Sequence, residues 1–286
     1  SGALMLVGYS FPWEAGCVFL ARADNHISVN GIREFCGRAG GKTSYAPIKA
    51  EDLTVDAAQL FQCLSASCTS TDSVGAGPVP KLFAYPAQSN VSGVKHDLFW
   101  LDEAASYGWY TLLDAAAFAS TNRLDLKVIS PDFVTLSFYK IFGYPTGLGC
   151  LLVRKDRFDL LRKPWFAGGT VRLAAVAAHE HRLHNDHERF EDGTINYLDL
   201  PAITTGLEFI ERVGIDRITE RVASLSNYLC REVQALRHAN GQPLVRFFGP
   251  DVRTACGGNF IFTVYGNAGQ RVVLVGGEAR ANGRNN

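Results

Sequence analysis

The sequence predicts an α/β fold, a mostly parallel sheet sandwiched by helices, with part of a small α+β domain towards the C-terminus. Three observations carry this. Through about residue 170, short apolar runs alternate with helical stretches, the mark of strands joined by helical crossovers. The runs read as buried strands by their length and β-propensity. From Leu200 onward the apolar positions recur at steps of three to five, which is the period of amphipathic helices.

In chain order, residues 18–21 form a strand that leads through Asp24-Asn25-His26 into a helical stretch from about Ser28. Residues 65–80, rich in Ser, Thr, Gly and Pro, are expected to be an exposed, mobile loop. Residues 109–113 form a strand that ends in Asp114 and three alanines. Residues 132–136 form another, followed by Ser137-Phe138-Tyr139-Lys140, a Gly/Pro-rich loop and a strand at 150–153. Ile203, Leu207, Ile210 and Val213, then Ile218, Val222, Leu225, Leu229, Val233 and Leu236, predict two helices broken near Gly214. They are expected to pack on the domain's own sheet and not in a coiled coil. Residues 245–248 and 260–265 read as strands of the small domain. The expected division is a large domain over 1–205, connecting helices with a partial small domain over 206–273, and an unfolded tail over 274–286.

Composition narrows the function class. A chain of 286 residues with 47% hydrophobic content has material for one large core and part of another. The 28 basic residues equal the 28 acidic ones, so nothing favours a nucleic-acid or anionic-membrane partner. No apolar run approaches the roughly 20 residues of a membrane span. Seven scattered cysteines with no Cys-x-x-Cys pair suggest neither a disulfide framework nor a zinc site, and fit reduced thiols in the cytoplasm.

Three side chains stand where apolar runs end. Lys140 meets a glycine loop, where partial desolvation favours a neutral, nucleophilic amine; the alternative is a lysine that snorkels to solvent. Asp114 can hold a pyridine nitrogen protonated beside small residues, or cap a helix. His26 can stack on a flat ring, or be a solvated loop residue. His179, His181, His184 and His187 crowd into nine residues with Glu180 and Asp186. Helical spacing would bring some of them together, yet the charged flanks read better as a solvated helix face than as a metal site. Cys256, in Thr-Ala-Cys-Gly-Gly with Arg253 nearby in sequence, is a candidate thiol whose reactivity depends on neighbouring cations.

A series of motifs runs through Phe11-Pro12-Trp13, Asp24-Asn25-His26, Gly31-Ile32-Arg33-Glu34, Pro86-Ala87-Gln88-Ser89-Asn90 and Leu112-Leu113-Asp114-Ala115-Ala116. It continues in the run from Ser137 to Gly149, in Gly168-Gly169-Thr170-Val171, Phe190-Glu191-Asp192-Gly193-Thr194 and Leu236-Arg237-His238-Ala239-Asn240-Gly241. In these motifs the chain resembles a known family, the molybdenum cofactor sulfurases, in their N-terminal cysteine desulfurase-like part that depends on pyridoxal 5'-phosphate (PLP). Tyr139 before the lysine, where general cysteine desulfurases usually carry His, makes the Ser137–Gly149 segment specific. The resemblance implies the PLP-dependent transferase fold of type I. It implies that Lys140 carries the cofactor as a Schiff base and moves protons on the substrate carbon. Asp114 would pair with the pyridine nitrogen, His26 would stack on the ring, and Asn90 would contact the cofactor's phenolic side or the substrate carboxylate. Ser137 would bind the phosphate, and Gly193 with Thr194 would reach a phosphate across the interface of a homodimer. No metal is implied. The activity implied is removal of sulfur from L-cysteine, giving L-alanine, to sulfurate the molybdenum cofactor of xanthine dehydrogenase and aldehyde oxidase.

Departures from the family pattern bear on activity. The family's sulfur-accepting cysteine lies in a Thr-Gly-Cys-Phe-Cys-Asn-Pro-Gly type segment, and its pterin-binding domain is C-terminal; neither is matched here. Ser1-Gly2-Ala3 resembles the end of a phosphate-binding turn, without the expected Thr. Ala117 stands where desulfurases usually have Gln. The expectation is therefore a fragment without its own persulfide carrier. A general cysteine desulfurase or selenocysteine lyase, and a non-catalytic remnant of the fold, are the alternative readings.

Overall fold

The computed structural model describes residues 1–66, 79–250, 255–275 and 278–281. A central sheet takes β1 (Val18–Arg22), β2 (Lys42–Ala46), β3 (Lys81–Pro86), β4 (Tyr110–Asp114), β5 (Phe133–Ser137) and β6 (Gly149–Val153) in the order β2-β1-β3-β4-β5-β6. Neighbours from β2 to β5 run parallel, and β6 returns antiparallel on β5, with Phe133 opposite Val153 and Ser137 opposite Gly149.

Successive side chains of a strand point to opposite faces, and here both faces are buried. Phe19, Ala21, Leu82, Ala84, Leu112 and Phe133 go into one core, under α1 (Gly2–Ser10), α2 (Ile27–Asn30) and α3 (Arg33–Arg38). Leu20, Phe83, Tyr85, Leu113 and Val134 go into the other, under α4 (Ala57–Ala66) and α5 (Phe99–Ser106). Two burying faces explain why the strands read as continuous apolar runs. Gly8 lets α1 lie against α3, since a Cβ there would come within 2.8 Å of the Phe35 ring.

Beyond β5 the chain forms α6 (Phe138–Phe142), which stops at Gly143 in the left-handed conformation, φ +86°. An antiparallel pair follows, β7 (Val171–Ala175) with β8 (Glu180–Leu183), and then α7 (Pro201–Val213) and α8 (Ile215–Gln234). The break between these two helices falls at Gly214, as the periodicity predicts. Their packing differs from expectation. The main partners of α7 are α6 and α8, and α8 packs on β9 (Val245–Phe248), so Leu207, Leu225 and Leu229 of the apolar stripe stay exposed. β9 pairs antiparallel with β10 (Ile261–Val264).

Two further expectations are corrected. The histidine-rich segment is a hairpin with a 3-10 turn at His187–Phe190, not a helix, because Val171–Ala175 offers it a strand partner. The expected unfolded tail begins inside a hairpin: β11 (Val272–Val275) pairs with β12 (Glu278–Ala281), led by a run of β-branched residues. The loop expected over 65–80 lies largely outside the described residues, as does Arg253.

Candidate active site

In an open parallel sheet, ligands bind beyond the carboxyl ends of the strands, where the strand order reverses. Here β1 has β2 on one side and β3 on the other, so the reversal falls between β1 and β3. A cleft of about 440 Å³ opens there. It is lined by residues following β1 (His26, Ser28), β3 (Gln88, Asn90), β4 (Ala116, Ala117) and β5 (Tyr139, Lys140), together with Asp114, Thr135 and Ser137 from the strands.

Each side chain is placed by a local device. Lys140 sits half-buried on α6, a helix of five residues clamped between the sheet and α7. The clamp depends on Gly206 of α7, where a Cβ would lie 2.3 Å from the Phe142 ring. Asp114 ends β4, and hydrogen-bonded turns, not an α-helix, follow it, with Ala119 N donating to Ala115 O at 2.9 Å. Its Oδ1 accepts from the Ala116 amide at 3.1 Å and the Thr135 hydroxyl at 3.4 Å, leaving Oδ2 without a partner among the described residues. Its backbone oxygen accepts from the Ala87 amide at 2.9 Å, tying β4 to the turn after β3.

His26 is neither free nor simply solvated. Its Nδ1 accepts from the Ser28 amide at 3.1 Å and so caps α2, which fixes the ring at the cleft. Asn90 is held through its backbone oxygen by Asn259 Nδ2 at 3.0 Å. Ser137 is the last residue of β5, and the next amide, Phe138 N, donates to Leu148 O at 3.2 Å. Five predicted residues, His26, Asn90, Asp114, Ser137 and Lys140, therefore meet in one cleft. Gly193 and Thr194 do not line it. They are exposed, with the Gly193 amide donating to Gly168 O at 2.8 Å, and the preceding Asp192 paired with buried Lys163.

Another lining residue had no role assigned from sequence. Gln88 is buried and pinned by Asn122, whose Nδ2 donates to its Oε1 at 3.3 Å. It stands beyond β3 as Asp114 stands at the end of β4, and that topological equivalence was the signal available. Ser1, Gly2 and Ala3 also line the cleft, with Ser1 Oγ 2.8 Å from Ser28 Oγ, so the stretch resembling a phosphate turn does border the site. Gly147 and Gly149 close the far wall; a Cβ on Gly149 would sit 2.5 Å from Leu136 O.

The other sequence candidates lie elsewhere. Cys256 is buried, with its backbone bridged to Val94, and does not line the cleft. His184, Asp186 and Glu188 gather at the end of the β7–β8 hairpin with donor atoms within 4.8 Å, and His184 Nδ1 is 3.1 Å from Glu188 Oε2. An amine, a carboxylate with a free oxygen, a fixed imidazole, several hydroxyls and flexible glycines suit a flat, anionic ligand of moderate size.

Known proteins resemble this chain in sequence and in fold. The chain is 39% identical to molybdenum cofactor sulfurase of Bos taurus over 269 residues, 87% of this chain and 29% of that protein. It spans about a third of the length of the curated relatives it matches. The apo cysteine desulfurase of Thermococcus onnurineus NA1 superposes with a TM-score of 0.72 at 23% identity, over 92% of this chain and 60% of that one. A C-DES variant with glycine covalently linked to its PLP cofactor gives 0.74 at 19% identity, over 92% and 65%. These likenesses establish the fold. Residues 50–275 match the Aminotransferase class-V family, and that span takes in β3, β4, β5 and the Lys140 helix that frame the cleft, so the chain belongs to the class V aminotransferases.

Proposed function

We propose that this chain is the PLP-holding part of a sulfurtransferase that takes sulfur from L-cysteine, leaving L-alanine, for molybdenum cofactor. The observation that carries the reading is the meeting of Lys140, Asp114 and His26 in one cleft at the carboxyl ends of three strands. The residues fit the cofactor: Lys140 offers the amine, Asp114 Oδ2 a carboxylate for the pyridine nitrogen, His26 a ring face, and Ser137 with Ser1 and Ser28 hydroxyls for a phosphate. PLP, when bound, supplies an electrophilic carbonyl carbon and an electron sink for charge developing on the substrate's α-carbon.

The protein's own groups then have distinct tasks. Asp114 keeps the ring nitrogen protonated. Lys140 would hold the cofactor through its amine and would move a proton at the substrate's α-carbon, from a helix that the packing of Phe142 on Gly206 holds in place. Asn90 and Gln88 line the same cleft, where their amides would contact the cofactor's phenolic side or the substrate carboxylate. Gly193 and Thr194, on the surface, suit a reach into a second copy of the chain. Among the described residues no cysteine lines the cleft, so the thiolate that takes the sulfur comes from outside it. Molybdenum cofactor, xanthine dehydrogenase and aldehyde oxidase are the downstream partners in this reading, and the cytoplasm its site. Among the described residues no helix is long and apolar enough to cross a membrane.

The test is an absorption spectrum with PLP beside a Lys140→Ala variant. The expected result is a visible band that the variant lacks. A folded wild-type chain with no such band overturns the reading. If the band is present, alanine release from cysteine with added thiol separates a sulfurtransferase from a non-catalytic remnant. Transfer to a molybdenum–pterin acceptor in preference to an iron–sulfur scaffold separates it from a general cysteine desulfurase.

A further inference from the structure

Behind His26 lies a buried chain of charge that the proposed chemistry does not use. Arg22, the last residue of β1, is fully buried, and its Nε donates to Asp24 Oδ1 at 3.0 Å. The second carboxylate oxygen of Asp24 lies 2.7 Å from Nε2 of His96, also buried, 72 residues further along the chain. The Tyr85 ring packs against both ends, 5.5 Å from the Arg22 guanidinium and 5.9 Å from the His96 ring.

This is a poor way to stabilise a core. Arg22 Nη1 and Nη2 are buried with no partner in the described residues, and an unsatisfied buried charged donor is costly. A buried ion pair is weak evidence for stability, and fixing one local conformation is its better-attested use. What it fixes here is a single turn. Ala23 N donates to Ala46 O of β2 at 2.9 Å, and Asn25 Nδ2 donates to Ala84 O of β3 at 3.0 Å. With Asp24 held between Arg22 and His96, three consecutive residues are tied to three separate parts of the fold. The next residue is His26, at the cleft.

We propose that the Arg22–Asp24–His96 network is a positioning device that holds the imidazole of His26 in the cleft, and that these three are positioning residues. The proposal rests on the PLP reading for what His26 faces, but not for whether the network holds it.

The test uses Asp24→Asn, which keeps the shape and removes the charge, with His96→Gln as the milder variant should the first fail to fold. The Ser28 amide, which donates to His26 Nδ1, reports on the ring's placement through hydrogen exchange in the PLP-free chain. Its exchange is expected to quicken at least tenfold more than that of Leu112, at the centre of β4, which reports any loss of global stability. With PLP added, the Lys140-dependent absorption should persist while the circular dichroism of that band weakens, because the ring loses its stacked orientation. If Ser28 and Leu112 quicken together, the network only stabilises the fold; if neither changes, it holds nothing. Either result overturns the proposal. Absence of the band in the wild type would sink the cofactor reading, and the exchange comparison would still judge the network.

Discussion

His96 and Asp24 illustrate how a buried hydrogen bond makes stability depend on pH. Burial, with Arg22 close by, holds the His96 imidazole below its ordinary range, although Asp24 acts in the opposite direction. Burial also acts to raise the Asp24 carboxyl, but the hydrogen bond from His96 and the charges of His96 and Arg22 outweigh it and hold it low. For both groups the unfolded chain binds more protons over the relevant window, so stability rises with pH there. The His96 contribution is lost as pH falls below about 6.5, and the Asp24 contribution as pH falls below about 3.9. Urea midpoints measured at pH 7.5 and 5.5 should therefore drop in the wild type, with a smaller drop in His96→Gln. At the same scale, Asp114→Asn should leave the fold intact, because Oδ1 can still accept from Ala116 and Thr135. If the proposed function holds, it should slow alanine release from cysteine with added thiol by at least tenfold, since an amide would not hold the ring nitrogen protonated. Lys140, Asp114 and His26 were legible because each ends or follows an apolar run. Gln88 was not, because a buried amide carries no pattern until the strand beside it is known.

The Lys140 helix is the element on which the site turns. Its five residues are too few to be stable alone, and its order comes from the sheet on one side and α7 on the other. Gly206→Ala would put a Cβ 2.3 Å from the Phe142 ring, with the ring's root at Cγ only 2.5 Å away, so α6 or the ring must shift. The expected result is a weaker Lys140-dependent band, with thermal stability lowered by about 1–3 kcal/mol, the usual cost of overpacking. Affinity for PLP measured by titration checks this; an unchanged affinity would mean that α6 is held without α7. The two helices from Pro201 to Gln234 were legible in full, break included, because a 3.6-residue period is a local property. Their partner was not. The apolar stripe states that something is buried, but which surface covers it is settled by packing, and here α6 and β9 cover only part. The histidine segment misled for the related reason that hairpin pairing with Val171–Ala175 overrides a helical spacing.

For the molecule as a whole, binding and folding are linked. A ligand that binds only the folded chain stabilises it by about 2.7 kcal/mol at a hundred times its Kd. PLP should therefore raise the unfolding temperature of the wild type and raise it far less in Lys140→Ala; equal shifts would place the cofactor elsewhere. The sequence by itself determined the α/β class, the ends of the strands, both long helices and five of the residues that the cleft brings together, because element period and element ends are written in neighbouring residues. Only the tertiary structure decided that the ends of β1, β3, β4 and β5 are neighbours, that Gln88 joins them, and that Asp24 meets His96 across 72 residues. Those outcomes follow from strand order and from two buried faces of one sheet, which arise from non-local pairing that no local pattern encodes.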